Sequence, residues 1–127
     1  MRSDAGSVAL ETALSLAVLV PLVFGTIELG DLYQRWLAQD AAAAAAARYA
    51  GELGGDDAAV RAFLAGMLER SGIDAASAIV RVEPPSVGWR EPIRVEIATV
   101  KRLAIPFMPL ASVTLRSSAT ARGEVAR

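Results

Sequence analysis

Residues 12–27 form an almost unbroken apolar run, preceded by a lone carboxylate at Glu11 and, five residues earlier, by Gly6. Counted from Ser7 to Ile27, the segment has the roughly 20 residues that a helix needs to cross a bilayer. Ionisable groups inside such segments are costly, up to roughly 2.5–3.5 kcal/mol at the centre, and rare, so Glu11 calls for a functional reason. The glycine suggests a cleavage site. A cut between Gly6 and Ser7 would create an α-ammonium on Ser7. In a helix Ser7 and Glu11 are an i,i+4 pair on one face, so the carboxylate would gain a cation on its own chain or on a neighbour's.

A secretory signal peptide fits poorly. It needs a small-x-small cleavage motif soon after its apolar core, and here Glu28-Leu-Gly-Asp31 follows instead. Two readings remain and both insert the segment: an uncut single-pass anchor, and a leader of residues 1–6 ahead of a membrane helix over 7–27. Arg2 and the initiator amine favour a cytoplasmic N-terminus, which leaves the rest of the chain outside the membrane.

The helical signal continues beyond the membrane to about residue 51. From 7 to 50 only Pro21, Gly25 and Gly30 interrupt it, giving a rod of about 65 Å. Pro21 lacks an N–H and crowds the preceding turn, so a bend is expected there. Gly25 and Gly30 are small positions that admit a close neighbour. Glu28, Asp31 and Arg35 mark the exit, with Asp31 and Arg35 spaced as an acid-before-base i,i+4 pair. They read as an ordinary polar boundary or as contacts to another subunit. Residues 41–47 are seven consecutive alanines, strong helix formers whose smooth surface suits close packing in a filament or against the chain's own domain. Gly51, Gly54 and Gly55 read as the stop.

Residues 52–127 read as a small α+β domain. Asp56 is a plausible N-cap, and Val60, Phe63, Leu64, Met67 and Leu68 form one apolar helical stripe ended by Gly72. The period then changes to two, predicting strands over 79–83, about 93–103 and about 113–122, antiparallel to one another. The link Ile105-Pro-Phe-Met-Pro109 cannot be a central strand. Phe107 and Met108 are expected to pack beneath the sheet.

The N-terminal pattern resembles the processing site of type IV prepilins. The stretch from Gly6 through Glu11 and Pro21 to Gly30, with Ala-Ala-Arg48 beyond it, is similar to the TadE family, minor pseudopilins of tight-adherence (Flp) pilus machinery. The C-terminal Ser117-Ser-Ala-Thr-Ala-Arg-Gly-Glu124 is similar to that family's close. Thr12 departs from the tyrosine usual after the glutamate in major Flp pilins, and with the long C-terminal region it points to a minor component. The resemblance implies a pilin-like plan in which the long helix lies across a small sheet. It implies cleavage after Gly6 by a membrane prepilin peptidase, and a register role for Glu11 against the Ser7 ammonium of an adjacent subunit. The implied partners are that peptidase, other pilin subunits and the assembly platform.

Composition narrows the alternatives. Thirteen Lys and Arg against 14 Asp and Glu give a net charge of -1, so nucleic-acid binding has no electrostatic support. No histidine or cysteine is present, which removes Ser-His and Cys-His catalysis, thiolate metal sites and disulfides. Lys101 is the single lysine. Glu83, Glu91 and Glu96 read as solvated positions rather than an acid–base pair. No phosphate-cradling loop is evident; Gly51-Glu-Leu-Gly-Gly55 lacks a lysine and a strand-to-helix setting. The expectation is a non-enzymatic assembly protein without cofactor, metal or small-molecule substrate. An uncut single-pass protein with an external binding domain is the alternative.

Overall fold

The computed structural model describes residues 2–125, and of residues 2–5 the backbone path alone. Met1, the start of the expected leader, and residues 126–127, the end of the expected domain, lie outside the described residues. The chain is α+β. A helix α1 (Arg2–Leu53) is followed by α2 (Ala58–Arg70), a single 3₁₀ turn (Ala75–Ser77), and strands β1 (Ile79–Glu83), β2 (Pro92–Leu103) and β3 (Ala111–Arg122).

α1 runs 52 residues and continues through Pro21 without interruption. It stops where Gly54 takes a left-handed φ of 82° and the Gly54 and Gly55 N–H groups both donate to the Ala50 carbonyl at 2.9 Å, the orphan-carbonyl solution that glycine permits. Gly51 has a different role from the expected stop. It lies inside the helix, where a Cβ would come 2.5 Å from the Arg122 carbonyl oxygen. It is the point at which the end of β3 touches the helix backbone, sealed by Glu124 N–H donating to Gly51 O at 2.9 Å.

α2 is capped by Asp57, whose carboxylate accepts from Ala59 N–H at 2.7 Å, one residue later than expected. Asp56 instead pairs with Arg61. Val60, Leu64 and Leu68 bury their side chains, while Phe63 sits at the rim with its ring 5.2 Å from that of Tyr49.

The sheet order is β1-β2-β3, antiparallel throughout. Register runs from Ile79 opposite Ala98 to Glu83 opposite Arg94, and from Pro92 opposite Arg122 to Leu103 opposite Ala111. Alternation puts Ile93, Val95, Ile97 and Thr99 of β2 on the inner face, with Leu115 and Ser117 of β3 beside them. The core against this face is mainly alanine: Ala42, Ala43, Ala46, Ala47 and Ala50 of α1 are buried, and Leu64, Leu68 and Val60 of α2 fill the flank. The alanine run therefore packs against its own domain, where the absence of long side chains lets helix and sheet backbones approach closely.

Candidate membrane and assembly site

The N-terminal part of α1 stands clear of the domain. α1 is long and apolar enough to cross a membrane, and none of the apolar window that would do so is buried. Val8, Leu10, Leu14, Leu16, Val18 and Leu19 are all exposed. Its two threonine hydroxyls are satisfied internally: Thr12 Oγ1 donates to Val8 O and Thr26 Oγ1 to Leu22 O, each at 2.9 Å. That is what a polar side chain requires in a medium without water.

Gly6, Ser7 and Glu11 lie on continuous helix and are exposed. A Cβ on Gly6 would meet nothing within 4 Å. Ser7 and Glu11 fall one turn apart on the same face. Among the described residues Glu11 takes part in none of the salt bridges.

Further along, one line of the helix turns toward the domain. Pro21, Gly25, Glu28, Leu32 and Arg35 are half-buried, and from Gln39 onward the same line is fully buried. The three exit charges form a collar on it. Arg35 Nε meets Asp31 Oδ2 at 3.0 Å, as the i,i+4 spacing predicts. The larger contribution comes from β2. Lys101 Nζ lies 2.7 Å from Asp31 Oδ2 and 3.6 Å from Glu28 Oε2, and Arg35 Nη1 donates to the Gly72 carbonyl at 3.3 Å. The Lys101 hydrogen bond, supported by Arg35 and opposed by desolvation, holds the Asp31 carboxyl below its ordinary range. Glu28, Asp31 and Arg35 thus find partners within the chain, and a contact to a neighbouring subunit would come in addition.

One turn past the collar is a residue the sequence reading passed over. Gln39 is 0% exposed. Its Nε2 donates to the carbonyls of Ile97 (2.9 Å) and Leu115 (3.2 Å), and its Oε1 accepts from Thr99 Oγ1. A single amide thereby ties α1 to both β2 and β3. Its spacing to Ala42, Ala43, Ala46 and Ala50 (i+3, i+4, i+7, i+11) was the available signal.

The family model described as TadE-like protein matches residues 6–48. The match covers about the N-terminal third of the chain. The match begins at Gly6 and closes at Arg48, so it takes in the exposed apolar span, Glu11, the charged collar, Gln39 and the alanine run. The sheet and α2 lie outside it. No curated protein and no solved structure shows significant similarity to the chain. The similarity of this segment suggests a component associated with tight-adherence pili, and the long apolar helix fits single-pass membrane association. Among the described residues no cluster of three or more Asp, Glu, His or Cys is disposed to hold a metal.

Proposed function

We propose that this protein is a minor pseudopilin of a tight-adherence pilus or a related secretion filament, cut after Gly6 by a prepilin peptidase. The observation that carries the reading is the Gly6–Glu11 spacing at the head of an exposed apolar helix, inside the TadE-like match. Cleavage leaves Ser7 as a charged N-terminus. Before assembly the mature chain is a single-pass membrane protein with its N-terminus cytoplasmic and its α+β domain extracytoplasmic. On assembly, α1 moves from lipid into contact with the helices of other subunits. There Glu11 meets the Ser7 ammonium of an adjacent chain. A carboxylate left unpaired in an apolar bundle is strongly destabilising, so the pair fixes axial register. Pro21, within the membrane span, gives the helix a place to bend.

Intact-mass analysis of the protein purified from membranes of cells with an active prepilin peptidase tests this directly. A chain beginning at Ser7 is the expected result, and Gly6→Val should leave it uncut. A chain still carrying residues 1–6 would point to the uncut single-pass alternative and remove the role assigned to Gly6. Glu11→Ala is expected to abolish incorporation into the pilus complex while leaving membrane insertion intact.

A further inference from the structure

We propose that the tip of the β2–β3 hairpin, residues 104–110, is a second membrane contact that inserts into the interfacial layer of the bilayer leaflet from which α1 emerges. This rests on the reading of residues 7–27 as a membrane helix.

The hairpin's direction places the tip there. β2 runs antiparallel to α1. Ile97 is level with Gln39, Lys101 with Asp31 and Glu28, and Ile105 with Gly25, where a Cβ would lie 3.8 Å from Ile105 Cδ1. Between Gln39 and Gly25 the helix advances about 21 Å, toward the apolar span. The charged collar of Glu28, Asp31, Arg35 and Lys101 therefore lies between the domain and the tip, where a polar interface would be. The tip lies beyond it, alongside residues that the membrane reading places within the apolar layer. Gly25, expected to admit a neighbouring helix, admits this hairpin.

The composition of the tip suits that depth. From Leu103 to Leu115 there is no charged residue, and the tip itself is Ala-Ile-Pro-Phe-Met-Pro-Leu. The expected burial of Phe107 and Met108 under the sheet does not occur: Phe107 is 83% exposed, Met108 55% and Leu110 86%. The turn carries them past the end of the sheet, so no part of the domain's inner face reaches them. Backbone donors are also few. Pro106 and Pro109 have no N–H, and Met108 N–H donates to Ile105 O at 3.2 Å. With Pro106 second and Phe107 third at φ 64°, the turn has the type II pattern, whose third position favours glycine. A bulky apolar residue held in a left-handed conformation and largely exposed has its compensation outside the monomer. A lipid interface supplies it. It takes up exposed apolar side chains and still hydrates the carbonyls that remain, which the depth of the hydrocarbon core would not.

The chain contains no cysteine, so single-cysteine labelling tests the proposal in the full protein. Met108→Cys, Leu14→Cys in the apolar span and Glu69→Cys on the exposed side of α2 would each carry an environment-sensitive fluorophore. Each is reconstituted into phosphatidylcholine–phosphatidylglycerol vesicles over a range of protein-to-lipid ratios. The expected result is that the probe at 108 is quenched by nitroxide lipids labelled near the headgroup. Aqueous iodide should quench it several-fold less than the probe at 69, and neither property should change on dilution in lipid. A probe at 108 as open to iodide as that at 69, with the probe at 14 still in lipid, would overturn the proposal and leave the membrane helix standing. Protection at 108 that vanishes on dilution would overturn it in favour of a second copy covering the tip. Iodide access at 14 would remove the membrane reading itself, and the proposal with it.

Discussion

Two stretches of α1, both helical and both apolar, have opposite relations to the rest of the molecule. Residues 8–19 are rich in Leu and Val, and every one of those side chains is exposed. Residues 42–50 are mostly alanine, and Ala42, Ala43, Ala46, Ala47 and Ala50 are essentially inaccessible. If burial within the chain governed both, the large side chains would face the sheet, because each buries more apolar surface. The reverse arrangement shows that the two stretches are built for different surroundings. The alanine stretch meets a sheet at close range, where side-chain volume would hold the layers apart. The Leu-Val stretch meets none of its own chain, and its apolar surface is available to lipid or to other helices.

The strongest way to break this comparison is at the join. Gln39→Leu should be the most destabilising change to the domain. It leaves the Ile97 and Leu115 carbonyls and the Thr99 hydroxyl without the amide they bond, at about 1–3 kcal/mol for each buried group left unpaired. Chemical denaturation of the detergent-solubilised protein would read the loss. Adding Thr99→Val should restore part of it, because one orphaned hydroxyl is then gone, and a double-mutant cycle should give a coupling well above zero. If Gln39→Leu is neutral, the amide does not tie α1 to the sheet.

Next in size is the exchange of volumes between the two stretches. Ala46 is 0% exposed, and Ala46→Leu should cost about 1–3 kcal/mol by overpacking the helix–sheet interface. Leu14 is 62% exposed, and Leu14→Ala should leave the domain's denaturation midpoint unchanged while weakening membrane retention. Equal effects on the domain from these two substitutions would remove the distinction between the stretches.

Much of this architecture was legible in the residues. The long helix, the α2 stripe and the three strands follow from periods of 3.6 and two, and the strand limits agree with expectation to within two residues. What periodicity misses is direction and distance between elements. Asp56 and Asp57 are both competent N-caps; Asp57 caps the helix while Asp56 pairs with Arg61. Gly51 reads as a helix breaker, yet its purpose is the approach of the Arg122 carbonyl from a strand 71 residues away in sequence. Gln39 is one polar residue among several at the membrane exit, and only the sheet's position makes it a buried tie. Phe107 and Met108 have core composition, but the prolines on either side carry them beyond the layer they would have filled. In the candidate site, Gly6 and Glu11 stood out through their spacing together with the apolar run that follows them. Lys101 did not, since nothing in a strand pattern says that it reaches Asp31.

The smallest effect concerns the collar between the two stretches, and it fixes a sign. Lys101 and Arg35 depress the Asp31 carboxyl in the folded protein. A depressed carboxyl stabilises the fold above the unfolded-state value, near 3.9, and loses that contribution as pH falls through the lower folded value. Stability of the wild type should therefore fall below about pH 4 more steeply than that of Asp31→Asn, with the two curves parallel at neutral pH. The Asp31 side chain is 43% exposed, so the difference should remain within the 0.2–1 kcal/mol typical of solvent-accessible pairs, and salt should shrink it. Denaturant titrations of both proteins between pH 3 and 6, at low and high ionic strength, provide the check. Curves that stay parallel throughout would mean that Asp31 and Lys101 lie side by side without energetic coupling. The collar would then mark the boundary between the stretches without fastening the hairpin to the helix.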